Sequence, residues 1–260
     1  MKKSFLMGVF CMTLVFRGSW GQTPEPTKGV LPPGPLIIDQ MPAFAQWTID
    51  YTYSNTPKPG EPSALDLYKQ EALKDPALAK ALEDPQYVFS LQNIRPLHMV
   101  VTKTGNVLHQ ETTFEQNYKG EMWANRTVKV EKKPNLSGLI AVIRNDLQDA
   151  AFPGFDWISK RNLAGIETKD GHKCAVFKGQ VDPVAISHPG EVGSGTTVPA
   201  IAYIDSETHY PVSFQFGVET RQYTFLAPPT DELVMPDEFV AAGKAMMAQI
   251  QKATPHLGRP

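Results

Sequence analysis

Ala45-Gln46-Trp47-Thr48-Ile49-Asp50-Tyr51-Thr52-Tyr53 alternates strictly. Trp47, Ile49, Tyr51 and Tyr53 fall on one face, and Gln46, Thr48, Asp50 and Thr52 fall on the other. A period of two is the mark of a strand with one wet face, as in antiparallel sheets. Tyr210 to Val218 repeats the pattern far along the chain. There Val212, Phe214, Phe216 and Val218 point one way, and Ser213, Gln215 and Glu219 the other; Tyr223 and Phe225 extend the apolar face into a further strand.

Between these anchors the punctuation is that of hairpins. Strands are predicted at Tyr87 to Leu91, Leu97 to Lys103 and Val107 to Phe114, with Thr104-Gly105-Asn106 turning between the last two. Lys119-Gly120 reads as another turn, followed by a strand stretch from Glu121 to Lys132. Ala164 to Thr168 and His172 to Lys178 flank Lys169-Asp170-Gly171, a strong hairpin signal because Asp-Gly tolerates the positive φ that such turns need. Val198 to Ile204 is apolar on both faces and reads as an interior strand, and Asp205 to His209 turns the chain into the next one. Ahead of Val198, Asp182 to Thr197 reads as a long polar loop, with Gly190, Gly193 and Gly195.

Helices are fewer. Ser63 can cap one running to about Lys74, and Pro76 can open a second to Glu83, with Leu65, Tyr68 and Leu82 set to pack at the edge of the sheet. Leu136, Leu139, Ile140, Ile143 and Leu147 fall at helical spacing, so Pro134 to Ala151 is predicted as an internal helix lying on the concave face. Asp237 to Gln251 is predicted as a closing helix with Phe239, Ala242, Met246 and Ile250 on its apolar side. The fold class that follows is α+β and mainly antiparallel β: about nine or ten strands in one curved, half-barrel-like sheet over residues 44–252, with the two helices packed on it.

The first residues read as a targeting segment. Lys2 and Lys3 precede the apolar run Phe5 to Phe16, which is too short to span a bilayer, and Ser19-Trp20-Gly21 offers small residues for cleavage after Gly21. A bacterial-type signal peptide over residues 1–21 implies a periplasmic or secreted protein. Cys11 follows Phe10 rather than a small residue, which argues against a lipid anchor there. Residues 22–43 are rich in proline and read as an extended, poorly ordered leader, and 253–260 as a tail.

The composition narrows the partners. With 42% hydrophobic residues and a net charge of -2 the chain is neither disordered nor basic enough to seek nucleic acid. Loss of Lys2, Lys3 and Arg17 with the signal peptide would make it more acidic still. No later stretch is long and apolar enough for a transmembrane helix. Cleavage would leave a single cysteine, Cys174, on an expected strand, where it reads as a buried apolar side chain.

No catalytic or metal-binding spacing emerges. The histidines form neither His-x-x-x-His nor His-Glu-x-x-His, and His109 with Glu111 reads as a solvated face. Gly193-Ser194-Gly195 lacks the frame of a nucleophile elbow, and Gly190 to Gly195 lacks the Lys-Ser/Thr of a phosphate loop. No enzyme activity, cofactor or metal is expected. The informative set is aromatic: Trp47, Tyr51, Phe114, Trp123, Trp157, Phe214, Phe216, Tyr223 and Phe225 lie on or beside the strands. They either fill a core or line a concavity. Trp47, Tyr51, Trp123, Phe214, Phe216 and Tyr223 are the candidate ligand-binding residues.

Three segments carry a family resemblance. They are Tyr118-Lys119-Gly120-Glu121-Met122-Trp123 with Val128-Lys129-Val130; Leu163-Ala164-Gly165-Ile166 with Asp170-Gly171-His172-Lys173-Cys174; and Tyr203 to Val212 with Tyr223-Thr224-Phe225. In this order, behind a signal peptide, the chain resembles the lipoprotein-localisation (LolA-like) half-barrel superfamily over roughly residues 44–240. The resemblance implies a curved antiparallel sheet closed by helices and a partner that is a lipid or lipoprotein acyl chain. The helical pair at Ser63–Glu83 and the loop at Asp182–Thr197 depart from its simplest form. The other reading is a non-catalytic structural or protein-interaction module of the cell envelope.

Overall fold

The computed structural model describes residues 34–38, 40–55, 62, 64–83, 94–134, 138–143, 152, 154–187 and 195–253. The targeting segment, the strand expected at Tyr87 to Leu91, loop residues 188–194 and the tail from 254 lie outside them.

The strands are β1 (Phe44–Tyr53), β2 (Pro96–Thr104), β3 (Val107–Phe114), β4 (Lys119–Ala124), β5 (Val128–Lys132), β6 (Ile140–Ile143), β7 (Leu163–Lys169), β8 (His172–Val181), β9 (Val198–Asp205), β10 (Pro211–Phe216) and β11 (Glu219–Leu226). They form one open, curved, 11-stranded antiparallel sheet in the order β6-β5-β4-β3-β2-β1-β11-β10-β9-β8-β7. The fold class expected from the alternation is the fold class found. Two meanders, β1 to β6 and β7 to β11, meet at the pairing of the first strand with the last. The chain crosses from one edge of the sheet to the other between β6 and β7, and that crossover adds Phe152 and Phe155 to the main core.

The internal helix is a correction. Ile140–Ile143, inside the span predicted as helix, is strand β6, and it pairs antiparallel with β5. A short apolar run fits a helix stripe and a strand equally well. Three β-branched residues in four, beside the open edge of β5, decide for the strand. Residues 135–137 and 144–151 of that span lie outside the described residues.

The turn near residue 119 is a second correction. Lys119 and Gly120 are inside β4, opposite Thr113 and Thr112. The chain turns earlier, at Glu115–Asn117, where Gln116 and Asn117 take positive φ, and again at Asn125, whose Oδ1 accepts from the N–H groups of Thr127 and Val128 at 2.8 and 3.0 Å. Gly120 is needed because the Phe114 ring lies over it: a Cβ there would sit 2.9 Å from the ring. The Asp170-Gly171 turn is as expected, with φ of 51° and 85°. Val218 is not on a strand face; β10 ends at Phe216 and Val218 is 45% exposed.

The remaining helices are Ala64–Ala72, Pro76–Ala81, a short Pro183–Ser187 within the stretch read as loop, and the closing helix Asp237–Ala253. Asp75 caps the second, its Oδ1 accepting from Ala77 and Leu78. Tyr68 is exposed rather than packed on the sheet, while Leu82 is half-buried. Among the described residues no helix is long and apolar enough to cross a membrane.

Residues 34–38 and 40–43 form no helix or strand, but they are docked rather than loose. Leu36, Ile37 and Ile38 pack on the main core and Met41 is buried. The Ile38 N–H donates to His209 O at 3.1 Å, and Lys103 Nζ donates to the carbonyls of Met41 and Pro42 at 3.2 and 2.9 Å.

The apolar side of the sheet changes hands along its width. Register runs straight across Phe225, Trp47, Val101, Gln110, Met122 and Glu131, so these residues share one face, called here the inner face. The main core lies on it, around β1 and β8 to β11. His109, Trp123, Val130 and Ala141 form the neighbouring outer-face row. There Trp123, Val128 and Val130 make a second core with Phe239 of the closing helix. The closing helix therefore packs on the outer face. Gly243 lets it approach, since a Cβ would stand 3.1 Å from Val128 Cγ1.

Candidate ligand-binding face

Five of the candidate residues come together. Trp47 and Tyr51 on β1, Tyr223 on β11 and Phe214 and Phe216 on β10 are all buried on the inner face. Alternation in each strand puts them there, and the register of β1 with β11 and of β10 with β11 aligns them. Trp123 is the exception. It lies on the outer face, its ring 6.2 Å from Phe239, its Nε1–H donating to Glu121 Oε1 at 2.7 Å. In its strand Trp123 shares the parity of Lys119 and Glu121, while Gly120, Met122 and Ala124 take the inner face.

The crossover fills the space beside the five. Phe152 stands edge-on to Trp47, Tyr223 and Phe225, each at 5.9 Å, and Phe155 lies 4.7 Å from Phe214. Trp157 stacks near Phe214 at 6.2 Å and covers Gly179, where a Cβ would meet its ring at 2.8 Å. Ring pairs of this kind add about 0.5–1.5 kcal/mol each beyond their burial. This half of the concavity is a packed core. Phe152 and Phe155 stand in Ala151-Phe152-Pro153-Gly154-Phe155, a stretch with no strand or helix period.

Toward β2, β3 and β4 the same face is less completely covered. Val101 is 4% exposed, but Met99, Leu108 and Met122 are only half-buried. Phe114 lies on this face over Gly120. Polar groups interrupt this patch: Gln110, between Val101 and Met122, donates through Nε2 to Thr112 Oγ1 at 3.2 Å. Beyond Met122 the face turns polar altogether, where Lys129 meets Glu131 at 2.8 Å.

Charge enters the aromatic face at one end of the sheet. Arg221 shares the inner face with Tyr223 and is only 13% exposed. Its Nε–H donates to Glu219 Oε1 at 2.6 Å. Its guanidinium carbon lies 5.0, 5.6 and 5.9 Å from the ring centres of Phe216, Tyr51 and Phe214. Burial opposes the cation, but Tyr223, Tyr51 and Glu219 together outweigh it and hold it firmly charged. Burial also pushes the Tyr51 and Tyr53 hydroxyls well above the usual phenol range. Nearby Arg95 clamps Glu115 through Nε at 3.1 Å and Nη2 at 2.7 Å, and lies 4.3 Å over the Tyr53 ring. The alternation Glu219, Arg221, Tyr223, Phe225 could have flagged Arg221, since it is a charge on the apolar side of a strand.

The other sites read from sequence settle as structural parts. Cys174 is fully buried on β8, and burial pushes its thiol up to about 11. His172 Nδ1 lies 2.7 Å from Asp205 Oδ2, while Asp205 Oδ1 accepts from the N–H groups of Glu207 and Thr208 at 2.8 Å. His109 pairs with Glu121 at 3.2 Å and stacks on Trp123 at 4.0 Å, rather than joining Glu111. Among the described residues no group of three His, Cys, Asp or Glu side chains could hold a metal ion. A recess of about 10 Å³ between Pro35, Leu36 and the Asp205–His209 turn has room for about one water.

No protein-family model matches the chain, and no curated protein matches it. Among solved structures it is similar to the Mycobacterium tuberculosis lipoprotein LppX, with 12% identity and a TM-score of 0.37, over 74% of this chain and 90% of that one. At that level the likeness is one of general fold.

Proposed function

We propose that this is an exported, non-enzymatic cell-envelope protein that holds the acyl chain of a lipid-like ligand against the inner face of β1 to β4. The observation that carries it is that Met99, Leu108 and Met122 are half-buried on the same face as Trp47 and Tyr51, with Gln110 between Val101 and Met122. Methionine adapts to irregular apolar shapes, and each ligand methylene buried there is worth roughly 0.8 kcal/mol. Export is supported by the basic start and apolar run of residues 2–16. Binding rather than catalysis is supported by the way buried charges are already matched, Arg95 with Glu115 and Arg221 with Glu219.

The closely packed rings around Phe214 favour a second reading, an interaction module whose sheet is simply a scaffold. Native mass spectrometry of the protein purified from envelope extract separates the two. A bound lipid mass that is lost in Met122→Trp, with folding intact by circular dichroism, supports the carrier. A bare protein mass together with a stoichiometric protein partner supports the module.

A further inference from the structure

We infer that the buried pair of Arg221 and Glu219 is a head-group site, at which Arg221 takes the carboxylate of a long-chain carboxylic acid in exchange for Glu219. The inference rests on the acyl-chain reading above and adds the chemistry of the ligand's polar end.

A guanidinium among aromatic rings must have an anion, because an unpaired buried charge is very costly. Here the chain supplies its own. The two pairs at this end of the sheet differ in how firmly they are made. Glu115 takes Arg95 through both Nε and Nη2, and its other oxygen accepts the Arg95 backbone N–H at 3.3 Å. Glu219 meets Arg221 through Nε alone, at 2.6 Å. Arg221 also hydrogen-bonds Tyr223, yet the fork that would grip a carboxylate bidentately is not used up by Glu219.

The placement suits an exchange. Glu219 is the first residue of β11, directly after the exposed turn at Gly217 and Val218. It can swing outward at the end of its strand. Arg221 lies deeper by one residue pair, opposite Tyr51 and Phe214. From that position the inner face runs to Tyr51, whose hydroxyl points to Met99 Sδ at 3.8 Å, and so onto the half-buried methionines. A carboxylate on Arg221 would place its hydrocarbon tail on them. The exchange forms and breaks no covalent bond and conserves charge, one carboxylate leaving as another arrives.

The test compares dodecanoate with methyl dodecanoate by isothermal titration calorimetry on the full chain. The expected result is acid bound at least tenfold more tightly than ester. Arg221→Met should abolish that preference, and Glu219→Gln, which removes the internal competitor, should tighten the acid about tenfold. Equal binding of acid and ester by the unaltered protein overturns the head-group site and leaves the acyl-chain reading standing; this arm needs no variant to fold. Weaker acid binding by Glu219→Gln also overturns it. If neither ligand binds, the acyl-chain reading falls and the head-group site falls with it.

Discussion

Replacing Phe214 by alanine tests whether the aromatic half of the concavity is core or pocket. The ring is fully buried, 4.7 Å from Phe155, 5.0 Å from Phe216 and 6.2 Å from Trp157. Its neighbours on β9, Ala202 and Ala200, are small and set in a paired sheet, so the site cannot collapse onto the gap. Truncating a phenylalanine in such a place costs about 3–5 kcal/mol. Domains have roughly 5–15 kcal/mol in all, so a large share of the stability goes. At roughly 2–4 °C per kcal/mol for a domain of this size, the melting temperature should fall by on the order of 6–20 °C. Equilibrium unfolding in urea, followed by far-ultraviolet circular dichroism, gives the free energy directly, and Phe214→Leu should cost clearly less. Phe216→Ala, which the sequence alone marks as strongly destabilising, should fall in the same range, because its ring is 5% exposed and also covers Arg221. A loss below about 1 kcal/mol for Phe214→Ala, ordinary for a surface site, would refute the packed-core argument.

Other outcomes follow from the same geometry. Burial alone would raise the Asp205 carboxyl, but hydrogen bonds from Thr208, Glu207 and His172 outweigh it and hold it below its ordinary value of 3.8. A depressed carboxylate stabilises the fold above its unfolded pKa, and that stability drains as pH falls from about 4 through the lower folded value. Melting curves at pH 6 and pH 3 should therefore differ less for Asp205→Asn than for the unaltered chain; an equal pH dependence would count against the turn's role. With its thiol pushed up to about 11 and fully buried, Cys174 should resist iodoacetamide at pH 7.5 in the folded protein and react promptly in 6 M guanidinium, read by mass spectrometry of a chain beginning at residue 22. Gly243→Leu should lift the closing helix off Val128, at a cost of about 1–3 kcal/mol, and change Trp123 fluorescence through its contact with Phe239. An unchanged spectrum would mean that the helix does not rest on that strand.

Alternation along single strands was legible from the residues themselves. Trp47, Ile49 and Tyr51 on one side of β1, the Asp170-Gly171 hairpin and the strand of Phe214 and Phe216 all stand where a period of two placed them. So does the apolar side of the closing helix at Phe239 and Ala242. These are local facts, set by which side chains a pleated or coiled backbone turns the same way. What each apolar side would meet was decided by the tertiary structure. The register across β1 to β4 puts Trp123 and Trp47 on opposite faces, and the closing helix covers one while the crossover covers the other. Ile140 to Ile143 is a strand because β5 offers an unpaired edge beside it, a partner distant from any helical count. Phe152 and Phe155 reach the aromatic face from a segment remote in the chain from Trp47 and Phe214. Period tells a side chain its direction; only register and packing tell it what stands there, because those contacts join residues remote in the chain.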